Sequence, residues 1–550
     1  MPDIVLKKRF AETDTKLSEK ICKSFDIHPK VADILAARLK QDEVLSFLQP
    51  AIKELKDPAL FCDMKKAVGL IRAAAAGQKP VMICGDYDAD GVCAAALLYL
   101  TLKQLRMDVR VYLPDRVREG YGISKHAVKA ISEKNSDALL ISVDCGVSNY
   151  DEVRYARSLG IRVIITDHHE CPPVLPPADA ILNPKRPGET YPFKSLCGAG
   201  VAFKLSCALL GKNAFEWIDL AALATIADLV PLCGENRIIA AKGLYKMSRA
   251  PIAGLAALLI ETGLSQKKDI CAENVAFVLA PRINAAGRMS SARYAFDMLT
   301  GMGDSASLAK KLCTFNQHRQ SAQETIIRSA ESRVAASNLP DCLMLCDDAW
   351  DIGIVGLAAS NLVQKYARPT FLFGANGEYY TGSARSIEGI HLYEMIAEAK
   401  DLLVRFGGHE MAAGMTLRKQ NFPLFQNRIQ QYMQAHYSGK DYVRTEYYDE
   451  IISIREITPK LIESLSCLEP CGSGNASAVF LLRDTEIAEK RAISGGKHTK
   501  LLLRQGEHTI RGVVFGKPVC DVPEHANILI TPMLSDYSGN PEVIVTDFVL

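Results

Sequence analysis

The sequence lacks any apolar run long enough to cross a bilayer. The longest, CAAALLYLTL at 93–102, falls well short of the ~20 residues a spanning helix needs. It also lacks a C-x-x-C pair among its 16 cysteines, the nearest approaches being CLMLC at 342–346 and CLEPC at 467–471, so the ligand spacing of a thiolate zinc site is missing. The opening stretch, MPDIVLKKRFAETD, mixes charges of both signs and has no apolar signal-peptide core. Together these absences predict a cytoplasmic protein without membrane contact, its thiols reduced and mostly buried rather than bridged. No low-complexity tract suggests a disordered arm. Nor is there a charge excess: a net charge of +2 gives no global argument for a nucleic-acid partner.

What is present is an ordinary folded composition, 48% apolar and 23% charged over 550 residues, enough for three to five domains. Charge is patterned locally. Residues 490–517 hold seven Lys or Arg against one acidic residue, and 282–333 hold eight against four. Taken alone, such runs are more often solvated faces than binding sites. Residues 1–60, with HPKVADILAARL, read as a helical segment without identifiable chemistry.

From about residue 60 to 240, short apolar runs alternate with amphipathic stretches, which predicts a parallel α/β sheet. The runs are PVMICG (80–85), DVRVYL (108–113), DALLISV (137–143), IRVIIT (161–166) and ADAILN (178–183). The first ends in GDYDADG, with Asp86, Asp88 and Asp90; the second in Asp115 and Arg116; the third in Asp144; the fourth in Asp167, His168 and His169. Ligands of open α/β sheets sit beyond the carboxyl ends of the strands, so topology gathers these groups at one edge. Asp228, inside the apolar stretch AALATIADLVP, is a further member, because a carboxylate there needs a partner. Close carboxylates repel and raise one another's pKa unless a cation neutralises them. Hard oxygen donors with one or two imidazoles suit two divalent cations, Mn²⁺ or Mg²⁺, the usual clamp for phosphoester cleavage.

GDYDADG, VDCG (143–146), TDHHE (166–170) and ADLVP (227–231) resemble the four motifs of the DHH phosphoesterases. LNPKRP, CGAGVAFKL, PRINAAGRM and FGGHEMAAGM are similar to the RecJ branch, single-strand-specific 5′→3′ DNA exonucleases. The resemblance implies that Asp88 and Asp90 ligate metal with Asp86 more peripheral, that Asp144 bridges both ions, that His168 ligates while His169 lies nearer the scissile phosphate, and that Asp228 completes the set. It further implies that Gly407, Gly408 and His409 of the DHHA1 motif cradle a phosphate, and that Arg385 and Arg116 share a pocket for the strand's 5′ end.

The expected architecture is multidomain α/β: a helical segment (1–60), a parallel-sheet DHH domain (61–281), a connecting helix (282–335), an α/β DHHA1 domain (336–440) and a C-terminal OB-like β-barrel (441–550). The positive charge of the connecting segment offers Arg282, Arg288 and Arg319 as phosphate contacts. The paired glycines of FGGHEMAAG read as a close-approach loop ahead of a helix N-terminus. In the barrel the basic run 490–517 suits a single strand, with Phe480, Phe515 and Tyr537 as stacking platforms. PCGSGNASA at 470–478 stands where the family carries PFGxGNPxP. The expected activity is two-metal 5′→3′ exonucleolysis of single-stranded DNA to 5′-mononucleotides in repair and recombination, by a monomer working with a helicase and a single-strand-binding protein. The alternative is a DHH–DHHA1 phosphodiesterase of short oligonucleotides or cyclic dinucleotides, which needs no extended basic groove.

Overall fold

The apolar runs of the first half form five parallel strands in the order Val109–Tyr112, Val81–Cys84, Leu139–Val143, Arg162–Thr166, Ala180–Leu182. The structure, a computed structural model, describes residues 4–10, 12–115, 119–120, 122–134, 138–335, 339–437, 442–535 and 538–549. Leu139–Val143 is buried at every residue, as a strand covered on both faces must be. The chain enters the sheet at Val81–Cys84, adds the next strand on one side and then crosses to the other. That reversal opens a crevice beyond the strand ends, and both GDYDADG and Asp144 lie at its rim. Helices Ala89–Gln104, Gly198–Leu210 and Ile218–Ala227, almost continuously apolar, pack together in the core behind it.

The expected connecting helix, 282–335, is three elements. Ala280–Met289 ends at Ser290, Arg293–Thr300 ends at Gly301 in the left-handed region, and only Ser305–Ala335 is one long helix of 31 residues. It does join two lobes, because Ala309 and Leu312 lie in the first domain's core while Ile326, Ala330 and Val334 lie in the second's.

The second domain is a mixed five-stranded sheet, ordered Leu403–Gly408, Ala412–Arg418, Tyr379–Arg385, Thr370–Asn376, Leu343–Asp347. Gly407 and Gly408 do not precede a helix as expected. They close a β-hairpin, paired with Gly414 and Ala413, and the chain continues as a strand.

The C-terminal strands Phe480–Ile493, His498–Gln505, His508–Val514, Pro541–Val549 and His525–Leu534 close into a five-stranded barrel. The first 60 residues are not a separate segment. Ile4–Lys8 pairs in parallel with Arg444–Tyr448, and Leu17, Ile21, Val31, Ile34 and Leu35 share one core with the barrel's Phe480, Ile528 and Val545. The amphipathic helices Thr15–Phe25 and Pro29–Arg38 need an apolar partner, and the barrel supplies it. Arg9 and Arg38 close the join on the buried carboxylate of Asp449, at 3.0 and 2.8 Å. The departures in PCGSGNASA leave its loop pinned: the Asn475 amide donates to Leu468 O and Pro470 O, and Arg237 donates to the carbonyls of residues 467–470.

Of the expected stacking platforms, Phe480 is fully buried and is a core residue, Phe515 is exposed, and Tyr537 lies outside the described residues. The cysteines are free, as expected, but only Cys84, Cys93, Cys145, Cys197 and Cys342 are buried; Cys62, Cys233 and Cys520 are exposed. Among the described residues no helix is long and apolar enough to cross a membrane.

Candidate metal centre

Each predicted ligand reaches the crevice by a local device. Asp88 caps the Ala89–Gln104 helix, its Oδ1 accepting from Gly91 N at 3.0 Å. Asp90, two residues on and within the first turn, points at the start of a second helix and accepts from Gly198 N and Ala199 N at 2.6 and 2.7 Å. Asp144 leaves its strand in the left-handed region, φ 58°, a conformation that turns its side chain back over the strand ends. Gly198 has to be glycine, since a Cβ there would lie 2.5 Å from the Asp144 carboxylate. Asp228 is the C-cap of the Ile218–Ala227 helix.

The ligand atoms converge. His168 Nε2 lies 3.2 Å from Asp144 Oδ1, 3.7 Å from Asp228 Oδ2 and 3.8 Å from Asp90 Oδ2. Three groups each hold their donor atoms within 4.8 Å: Asp86, Asp88 and Asp144; Asp90, His168 and Asp228; Asp144, His168 and His169. Asp144 belongs to two of them.

The electrostatics ask for a cation. Burial, then repulsion from Asp88, pushes Asp90 up to about 6 despite its two backbone N–H bonds. Burial and repulsion from Asp90 and Asp88 push Asp228 up to about 9, and Asp144 rises well above the carboxylate range for the same reasons. Burial drops His168 to about 3, so its ring is neutral and its nitrogen free to ligate. Five repelling carboxylates around a neutral imidazole form a hard-donor site that fits a pair of divalent cations.

Asp167, noted in the sequence at its strand end but given no role, orders the histidines. It is fully buried and accepts from Val147 N, His168 N, His169 N and His169 Nδ1. Burial works to raise its pKa, yet these bonds from His169 and Val147 hold it below the usual carboxylate value. The same contact outweighs burial at His169 and raises that ring's pKa. The N–H groups of Gly198 and Ala199 were likewise missed as functional; CGAG ahead of an apolar run is the signal for a helix start open to an anion.

The predicted phosphate contacts fall in three places. Arg288 donates to Gly353 O at 2.9 Å, and Arg385 lies against Gly356, so both stand at the start of the Val355–Tyr366 helix. Arg282 and Arg319 are neighbours on the linking helices: Arg282 bonds Val278 O and Cys313 Sγ, Arg319 bonds Asn316 and Gln323, and burial with the Arg282 charge lowers the Arg319 pKa. Gly407, Gly408 and His409 form the exposed hairpin tip, with His409 N bonded to Ala412 O. Arg116 lies outside the described residues.

Comparison with known proteins fits this order of parts. The profile of the DHH family, N-terminal domain, matches residues 80–230, that of the DHHA1 domain 332–435, and that of the RecJ OB domain 448–546. The single-stranded-DNA-specific exonuclease RecJ of Haemophilus influenzae is 33% identical over 95% of this chain and 96% of that protein. This chain belongs to the RecJ family. The RecJ of Bacillus subtilis is 38% identical over 89% of the chain, which spans 63% of that relative's length. The crystal structure of RecJ in complex with Mn²⁺ from Thermus thermophilus superposes with a TM-score of 0.83 at 28% identity, over 99% of this chain and 79% of that one.

Proposed function

We propose that this chain is a single-stranded-DNA-specific exonuclease that digests 5′→3′ and releases 5′-mononucleotides in DNA repair and recombination. The observation that carries it is the convergence of Asp86, Asp88, Asp90, Asp144, His168 and Asp228 in a chain that also holds the RecJ OB barrel. Two divalent cations bound there, Mn²⁺ or Mg²⁺, would lower the pKa of an attacking water and neutralise the phosphodiester. Asp144, shared by two donor groups as His168 is, has two carboxylate oxygens and would serve both positions. His168 ligates as the neutral ring, and partly exposed His169, held through Nδ1 by Asp167, turns its other nitrogen to a phosphate oxygen. Arg288 and Arg385, with Arg116, take the terminal 5′ phosphate. Arg282, Arg319 and the Gly407–His409 hairpin bind phosphates along the strand. The functional units are the DHH domain (61–281), the linking helices (282–335), the DHHA1 domain (336–440) and the barrel (441–550) joined by residues 1–60. The protein acts as a cytoplasmic monomer beside a helicase and a single-strand-binding protein.

A dinucleotide phosphodiesterase would share the metal centre but has no use for the barrel's basic face. Incubation with strands labelled at either end, with Mn²⁺ and with chelator, tests the reading. Early release of the 5′ label as a mononucleotide, only with metal, is expected. Release from the 3′ end, or turnover confined to dinucleotides, would overturn it.

A further inference from the structure

The Ala280–Met289 helix lies outside both the DHH match at 80–230 and the DHHA1 match at 332–435, yet it touches both domains. On one side, Asn284 Oδ1 accepts a hydrogen bond from Ala89 N at 2.8 Å. Ala89 stands between Asp88 and Asp90, so this bond falls inside the metal-binding loop. One turn on, Gly287 lies against the same loop, where a Cβ would come within 2.5 Å of Tyr87 O. On the other side, Arg288 donates to Gly353 O and Met289 packs on the second domain's core.

The Ala89 N–H needs this acceptor. Ala89 opens its helix, so no carbonyl one turn back is available to it, and it is buried away from water. Asp88, its neighbour in the chain, turns Oδ1 to Gly91 N instead. The side chains of Asp88 and Asp90 are held by N–H groups of their own, while the backbone between them, under the repulsion of carboxylates at every second residue, has its fixed point at Ala89 N. Asn284 supplies that point with a neutral oxygen, adding no fourth charge.

We propose that Asn284 is a positioning residue for the metal centre: it holds the loop 86–90 in the form that binds metal. The proposal rests on the metal reading above. A partner behind the ligands typically contributes ~10–100-fold in metal affinity. Titrating the full chain with Mn²⁺ and following the free-ion EPR signal tests it, alongside thermal midpoints in chelator. Asn284→Leu should weaken Mn²⁺ binding by ~10–100-fold, with a chelator midpoint lowered only by the small amount that one unmade buried hydrogen bond accounts for, and turnover should recover at saturating Mn²⁺. Asn284→Asp keeps an acceptor in place while adding a negative charge, and should lose less Mn²⁺ affinity than the Leu variant. Parent-like Mn²⁺ affinity in the Leu variant, equal loss in both variants, or a chelator midpoint that collapses far below the parent's would each overturn the proposal. Should Asn284→Leu not fold, Asn284→Ser, whose hydroxyl stops short of Ala89, takes its place in the same comparison. A parent that binds no Mn²⁺ is a different result, one that overturns the metal reading itself.

Discussion

Asp144 concentrates the site's demands in one residue. It holds an unfavourable backbone conformation, sits against a glycine that admits nothing larger, and belongs to two donor groups. Such strain persists where the surroundings over-determine it. Asp144→Ala should reduce cleavage by more than the ~10–100-fold that an outer partner contributes, while strand binding, measured by fluorescence anisotropy in the same buffer, stays within a few-fold. Equal loss of binding would make the residue structural. The raised carboxylates also set a pH dependence. A folded-state pKa of about 9 at Asp228, against an ordinary 3.8, contributes stability that is present at low pH and lost as pH rises through 9. Asp144 and His169, both raised, run the same way, and His168, lowered from 6.5, runs the other way only below that value. In chelator the thermal midpoint should therefore fall between pH 7 and pH 9. Mn²⁺ competes with the protons on these carboxylates, so at one fixed Mn²⁺ concentration, a hundredfold over the Kd at pH 7 where it restores about 2.7 kcal/mol, affinity rises with pH and the gap between the two conditions should widen. A gap that stays constant would mean the carboxylates are neutralised by something else.

At the scale of elements, what the sequence reveals is what periodicity and position encode. Five strands of the parallel sheet were readable because each is a short apolar run ending in a polar residue, and their order explains why six ligands meet. The hairpin at Gly407–Gly408 was not, since paired glycines serve a turn between strands as well as a helix entrance. The place of residues 1–60 was not either, because an amphipathic helix announces that it has a partner and not which one. Phe480 shows a readable signal passed over: FLL is a continuous apolar run, the mark of a strand buried on both faces, so an aromatic there is core. The consequence is a pair of opposite outcomes. Phe480→Ala should lower stability by ~3–5 kcal/mol. Phe515→Ala, on an exposed ring packed edge-on to His498, should leave stability within ~0.5 kcal/mol and weaken single-strand binding by ~1–3 kcal/mol. Denaturant midpoints and anisotropy titrations separate the two, and the reverse pattern would move the strand's path off Phe515.

Across the whole molecule, the parts are tied in a way that decides how strand binding can be tested. Arg237, on a helix of the DHH domain, donates to Phe47 O of the N-terminal segment and to carbonyls of the barrel's entry loop. Deleting the barrel would bare the apolar faces of residues 17–48 and leave Arg237 only Phe47 O among its acceptors, so weaker binding in a truncation would say little about the groove. Surface charge is the cleaner lever. Lys490 and Lys517 of the basic run are already paired, with Glu524 and Asp547. Arg491 and Lys500 are both exposed and stand directly opposite each other on adjacent strands, a like-charge pair that destabilises the sheet unless an anion lies across it. Reversing both to Glu should weaken binding of long strands. The slope of log affinity against log salt should shrink by about 0.7 for each phosphate that is no longer neutralised. Turnover of a dinucleotide, which reaches only the metal centre, should stay at the parent's rate. If both substrates suffer equally, the barrel's basic face does not carry the strand.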